Sequence, residues 1–177
     1  MKGKLSFVGA LSRAVLIAAA VLVPATALFS GPSPFPAPRS SATERHCVPV
    51  GGTVMTNFGA IDQFTTMGTA TGDLRGAVSG TLLGAPQPGA GGTVVFHVQH
   101  HWVTESGDTL SFDPAVATTA PLSPTLFAVI TYPVHITGGT GKFAGAIGDV
   151  KNIGEVDLAG QATVFRYSGQ VCFSEQN

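Results

Sequence analysis

The stretch "ITGGTGKFAGAIGDV", residues 136–150, decides how this chain folds. Four glycines lie between positions 138 and 145, around a single Lys142 and Phe143, with apolar residues on both sides. A dinucleotide-binding loop needs a strand before it and a helix after it. The residues that follow, "AIGDVKNIGEVDL" (146–158), are β-branched and glycine-rich and offer no helical face. A phosphate-binding P-loop needs Ser or Thr after its lysine, and here Phe143 follows Lys142. The stretch therefore predicts architecture, a tight connection between two strands. Gly138, Gly139 and Gly141 supply the backbone freedom, Phe143 fills one end of the sheet interior, and Gly145 and Gly148 let the returning strand bend.

Outward from that hinge the pattern is β on both sides. "LFAVITYPVHI" (126–136), "AIGDVKNIGEVDL" (146–158) and "ATVFRYSGQVCF" (162–173) read as strands, as do "GGTVMTNF" (51–58), "TGDLRGAVSGTLLG" (71–84) and "GDTLSFD" (107–113). "GTVVFHVQHHWVT" (92–104) alternates most clearly. Pro86-Gln87-Pro88-Gly89 and Ser106-Gly107-Asp108 carry turn chemistry, and no stretch shows a capped helical period. Strands spaced this regularly predict an all-β barrel or sandwich.

The N-terminus is of another kind. Lys2, Lys4 and Arg13 precede the apolar run Ala14–Val23, and an A-x-A pattern ends at Ala27. Residues 1–27 thus read as a signal peptide, because the apolar run is shorter than the roughly 20 residues of a spanning helix. Residues 28–45, "LFSGPSPFPAPRSSATER", read as a Pro/Ser-rich flexible linker, and 46–177 as the β-barrel domain. The expected location is secreted or periplasmic, with no stable membrane anchor after signal cleavage. Without Lys2, Lys4 and Arg13, six of the nine Lys and Arg face ten Asp and Glu, a net charge of −4. That net negative charge does not neutralise phosphates, so nucleic acid is not an expected partner. Cys47 and Cys172, near the two ends of the domain, are expected to form a disulfide, as a pair in an exported chain does.

The segment "TYPVHITGGTGKFAGAIGDVKN" (131–152) resembles the signature hairpin of the allene oxide cyclase family and its dirigent relatives. Ile136, Thr137, Gly138, Gly139, Thr140, Gly141, Phe143, Gly145 and Ala146 match its Ile-Thr-Gly-Gly-(Ser/Thr)-Gly-x-Phe-x-Gly-Ala pattern. "VKNIGEVDLAGQATVFRYSGQV" (150–171) looks like the family's last two strands, and "TATGDLRGAVSGTLLG" (69–84) resembles its early strand pair more loosely. The likeness implies an eight-stranded antiparallel β-barrel of calycin type with a central cavity, in a bacterial exported member of the family, as a homo-oligomer (dimer or trimer). The plant cyclases use a first-strand Glu that "GGTVMTNFGAID" (51–62) lacks, so Asn57 becomes the polar candidate on that strand.

Three of the five histidines lie in "FHVQHHW" (96–102). Alternation puts Phe96, Val98, His100 and Trp102 on one face and His97, Gln99 and His101 on the other. His97 and His101 are about 13 Å apart at strand rise, so a metal would need His135 from another strand, and no metal site is expected. An inward apolar face makes Phe96, Val98, Trp102, Tyr132, Val134, Phe165 and Tyr167 the ligand-binding residues, with His100 and Asn57 as catalytic candidates. A histidine among aromatics serves as acid or base near neutral pH, and the same lining serves plain binding of an apolar molecule. Two functions stay open: a cofactor-independent cyclase or isomerase acting on a small hydrophobic molecule, and a non-catalytic dirigent-like module for binding or assembly.

Overall fold

The computed structural model describes residues Arg45–Ser174. The expected signal peptide, and the expected linker except its last residue Arg45, lie outside these residues. Within them the chain is all-β and antiparallel. Its strands are β1 (Arg45–Phe58), β2 (Thr65–Ala70), β3 (Gly76–Leu82), β4 (Gln87–Pro88), β5 (Val94–Thr104), β6 (Thr109–Phe112), β7 (Ala115–Pro121), β8 (Leu126–Thr131), β9 (Pro133–Gly139), β10 (Ile147–Asp157) and β11 (Ala162–Ser174).

Pairing runs from β11 through β1, β2 and β3 to β5, and on through β6 and β9 to β10, which pairs with β11 again. The path thus returns to its start, but unevenly. β5 uses its late residues for β6 (Trp102 opposite Leu110) and its early ones for β7 (Phe96 opposite Ala117). β10 divides itself in the same way, taking β9 at Val150 and β8 at Val156. Asp113-Pro114 breaks β6 from β7, and Tyr132, just before Pro133, breaks β8 from β9, as a proline that cannot donate to the ladder would do. Register also slips between Ser111 and Phe112 and between Thr118 and Thr119. The expectation of an even eight-stranded barrel is met in its coarser part, an all-β antiparallel sheet.

Alternation along the long strands builds the core. β1 turns Val50, Val54 and Thr56 inward and Met55 and Asn57 outward. β5 buries Phe96, Val98 and Trp102 and exposes His97 and His101. One end of this interior is sealed. The 3₁₀ turn Gly141–Phe143 carries Phe143 inside, only 2% exposed, beside the equally buried Ile136 and Val171. Its geometry depends on glycine: Gly141 and Gly145 have φ of 53° and 68°, and a Cβ on Gly141 would collide with the Asp108 carboxylate. A second cap at that end is the turn Gly72–Leu74. Trp102 Nε1 donates to Leu74 O at 2.7 Å, Tyr167 Oη donates to Thr71 O at 2.9 Å, and Leu74 N donates to Tyr167 Oη at 2.9 Å.

Cys47 and Cys172 are bonded. They stand opposite each other in the β1–β11 register, so the bridge clamps the seam where the first and last strands meet.

Candidate functional site

The opposite end of the interior is open. Between it and the Phe143 plug lies a narrow cavity of about 80 Å³, lined by Phe96, Val98, His100 and Trp102 of β5, Tyr132 and Val134, and Phe165 and Tyr167 of β11. Strand alternation points to all of these. The structure adds Asn152 of β10, Thr56 of β1 and Thr163 of β11, which sequence reasoning passed over. Each is a polar residue on an inward position of a strand whose apolar neighbours give the parity, and that parity is the signal that would have found them.

Asn57 does not join them. It is exposed on the outer face of β1, with Nδ2 donating to Gln161 O at 3.3 Å, while its neighbour Thr56 faces in. The expectation that Asn57 and His100 share a site misplaces the strand by one residue, which in a β-strand moves a side chain to the other face. His97 and His101 are also exposed, and the β6–β7 segment separates their strand from β9, where His135 pairs with Asp149 at 2.8 Å. No group of three potential ligands is close enough to hold a metal among the described residues.

The polar groups inside are few. Thr56 and Thr163 satisfy each other, hydroxyl to hydroxyl, at 2.7 Å. Asn152 donates through Nδ2 to Tyr132 O at 3.2 Å, and its backbone N–H donates to the same carbonyl at 3.0 Å. These two hydrogen bonds to one carbonyl hold Tyr132 in place at the broken strand end. The Tyr132 ring packs edge-on against Phe165 with centroids 5.6 Å apart, and its Oη lies 2.7 Å from His100 Nε2. Phe112 supports the imidazole from the other side at 5.7 Å.

Burial, aided by the neighbouring His101 charge, lowers the His100 pKa from 6.5 to about 4. Burial also raises Tyr132 far above its ordinary value. The pair is therefore neutral on both sides at pH 7, a hydrogen bond between two uncharged groups. This narrows the sequence-based view of His100 as an acid or base poised near neutrality. His100 Nδ1 has no partner, the sole buried side-chain nitrogen or oxygen in that condition among the described residues. Tyr167 differs: although burial raises its pKa too, its hydroxyl is fully engaged with the Thr71–Leu74 turn. Tyr132 alone among the cavity phenols has a hydrogen-bonding valence left.

No family model and no curated protein matches the chain. Two pterocarpan synthase dirigent proteins are similar among solved structures. One is 14% identical at a TM-score of 0.34, with 85% of this chain and 100% of that one covered. The other is 14% identical at 0.30, with 75% and 97% covered. Likeness at that distance carries no argument for function, so the site itself must supply it.

Proposed function

We propose that this chain is an exported small β-barrel, closed by eight strands when β6–β7 and β8–β9 are each counted as one and the two-residue β4 is left aside, whose interior binds a small hydrophobic molecule. The observation that carries this reading is the apolar cavity in which Tyr132, hydrogen-bonded to His100, is the phenol with a hydrogen-bonding valence left. Sites for small molecules combine an apolar wall with a few placed polar groups in just this way. The ligand-binding residues are Phe96, Val98, Trp102, Tyr132, Val134, Phe165 and Tyr167. The Cys47–Cys172 bond fits an oxidising compartment, and with it the signal-peptide reading of residues 1–27.

The chemistry follows from the orphaned nitrogen. A buried acceptor without a partner is better tolerated than a buried N–H without one. His100 therefore carries its proton on Nε2 and donates to Tyr132 Oη. The phenol hydrogen is then free to donate to an oxygen on the ligand. Such a site holds a flexible molecule in one folded shape and polarises its oxygen, which promotes cyclisation or isomerisation by orientation, without covalent or cofactor chemistry.

The second reading is the non-catalytic, dirigent-like binding or assembly module. Its support is the size of the inner cavity, about 80 Å³ against the roughly 300–1,000 Å³ of drug-sized ligand sites. Native mass spectrometry of protein taken from its own host, with identification of any bound molecule, separates the two. A bound oxygenated apolar molecule that returns rearranged after incubation supports the first. One released unchanged supports the second. Protein that carries no small molecule, and whose Trp102 fluorescence ignores apolar ligands, contradicts the first and favours the second as an assembly module that works through its outer face.

A further inference from the structure

The cavity does not end at the strand tips. A larger space of about 510 Å³ lies at the open end, among the loops 59–64 and 83–86 and the turn 158–161. Phe58, Leu82 and Phe96 line both this space and the inner cavity, so they form a neck between two chambers. The outer chamber adds Phe64 and Leu158 as apolar wall, with Gln63 and Gln161 as neutral polar groups. It is already built: Phe58 N donates to Gln161 O at 2.9 Å, Leu82 N to Phe64 O at 2.9 Å, and Leu83 N to His97 O at 2.8 Å.

The charge at this end decides the ligand. Residues 58–66, 82–96, 121–127 and 156–163 contain no Lys, Arg, His or Glu, and only Asp62 and Asp157 are charged. Both carboxylates are occupied by the backbone. Asp62 Oδ1 accepts from the N–H groups of Phe64 and Thr65, each at 2.7 Å. Asp157 Oδ1 accepts from Ala159 at 3.0 Å and Gly160 at 2.9 Å. Arg45, Arg75 and Lys142 stand at the far, sealed end, on β1's first residue, before β3 and in the glycine turn. An anionic head seated in the outer chamber would meet the Asp62 carboxylate in its wall, with Asp157 in the adjoining turn and no cation in these segments, a costly arrangement.

We infer that the two chambers form one site for an elongated, uncharged apolar molecule, whose hydrogen-bonding oxygen reaches Tyr132 while its chain lies across the neck against Phe64 and Leu158. This rests on the ligand-binding reading above, and deepens it by naming the ligand class: a neutral long-chain alcohol, ketone or ester, not a fatty acid or a phosphorylated lipid.

The test uses 1-butanol, 1-dodecanol and dodecanoate at pH 8, with binding followed by the fluorescence of Trp102, the one tryptophan. Dodecanol is expected to bind at least 10-fold more tightly than dodecanoate. The double variant Phe64→Ala/Leu158→Ala, at two exposed positions, is expected to weaken dodecanol about 10-fold and leave butanol unchanged. The variant Gln63→Lys is expected to improve dodecanoate and not dodecanol. Dodecanoate binding as tightly as dodecanol, or dodecanol indifferent to the double variant, overturns the two-chamber site while butanol binding leaves the cavity reading standing. No response to any of the three probes overturns both.

Discussion

His100 Nε2 lies 2.7 Å from Tyr132 Oη, although the two residues belong to strands that do not pair there. His100 is in β5, Tyr132 fills the gap between β8 and β9, and β6–β7 runs between them in the sheet. The contact therefore passes through the interior, and it sets the polarity of the cavity.

Tyr132→Phe removes the phenol and leaves both imidazole nitrogens of His100 unpaired. The expected cost is about 1–3 kcal/mol of stability, the penalty of a buried polar group without its partner. Preference for an oxygenated ligand over a hydrocarbon of the same size should vanish with it. Urea unfolding and paired titrations with 1-butanol and pentane check the two effects. Unchanged selectivity would mean that Tyr132 does not meet the ligand's oxygen.

Acid should destabilise the fold through His100. Its pKa is about 4 when folded and 6.5 when unfolded, so between those values the unfolded chain holds a proton that the folded chain refuses. Stability is then at its full value above pH 6.5 and falls as pH drops toward 4, by a few kcal/mol in all. His100→Gln lacks this titration. The difference in unfolding free energy between the two proteins should narrow as pH falls from 7 to 4, and a constant difference would contradict the buried neutral imidazole.

Gly80 sits opposite His100 in the β3–β5 register and lines the cavity. A Cβ there would come 3.2 Å from Val98 Cγ1 and 3.4 Å from Thr66 Oγ1, tight but against side chains that can give. Gly80→Ala should fold, because alanine costs less than glycine in a strand, and it should narrow the space beside the imidazole. Binding of 1-butanol is expected to weaken several-fold with little change in the thermal midpoint. Equal affinity would place the ligand elsewhere.

The Cys47–Cys172 bridge spans 125 residues of sequence. On the chain-entropy view its loss costs about 4 to 5 kcal/mol. Cys47→Ser/Cys172→Ser should lower the urea midpoint accordingly while far-UV circular dichroism stays that of a β protein, since thirteen residue pairs still hold β1 to β11.

Much of this was legible in the sequence because the long strands carry their parity openly. In "FHVQHHW" the apolar Phe96, Val98 and Trp102 share one parity, and that parity assigns them, and His100 with them, to the inside. The strands β2 ("TTMGTA") and β7 ("AVATTAP") are not legible in the sequence because threonine, alanine and glycine give little contrast between faces. Two of their buried threonines are satisfied by partners the fold brings: Thr66 Oγ1 donates to Gly80 O, and Thr119 Oγ1 donates to Val94 O. Alternation broken by glycines makes 71–84 read as β, whereas Gly72–Leu74 is a 3₁₀ turn held by Tyr167 and Trp102, contacts 93 and 28 residues away in sequence. The same limit hid the partnership of His100 with Tyr132. Alternation tells which way a side chain points, not which strand stands across from it.

The central claim, that an apolar molecule occupies this interior beside His100 and Tyr132, is tested most directly by intermolecular nuclear Overhauser effects. With saturating 1-butanol, cross-peaks are predicted from the ligand's methylene protons to the ring protons of Trp102, His100 and Tyr132. Cross-peaks confined to outward residues such as Met55 or Val164, or none at all, would contradict it.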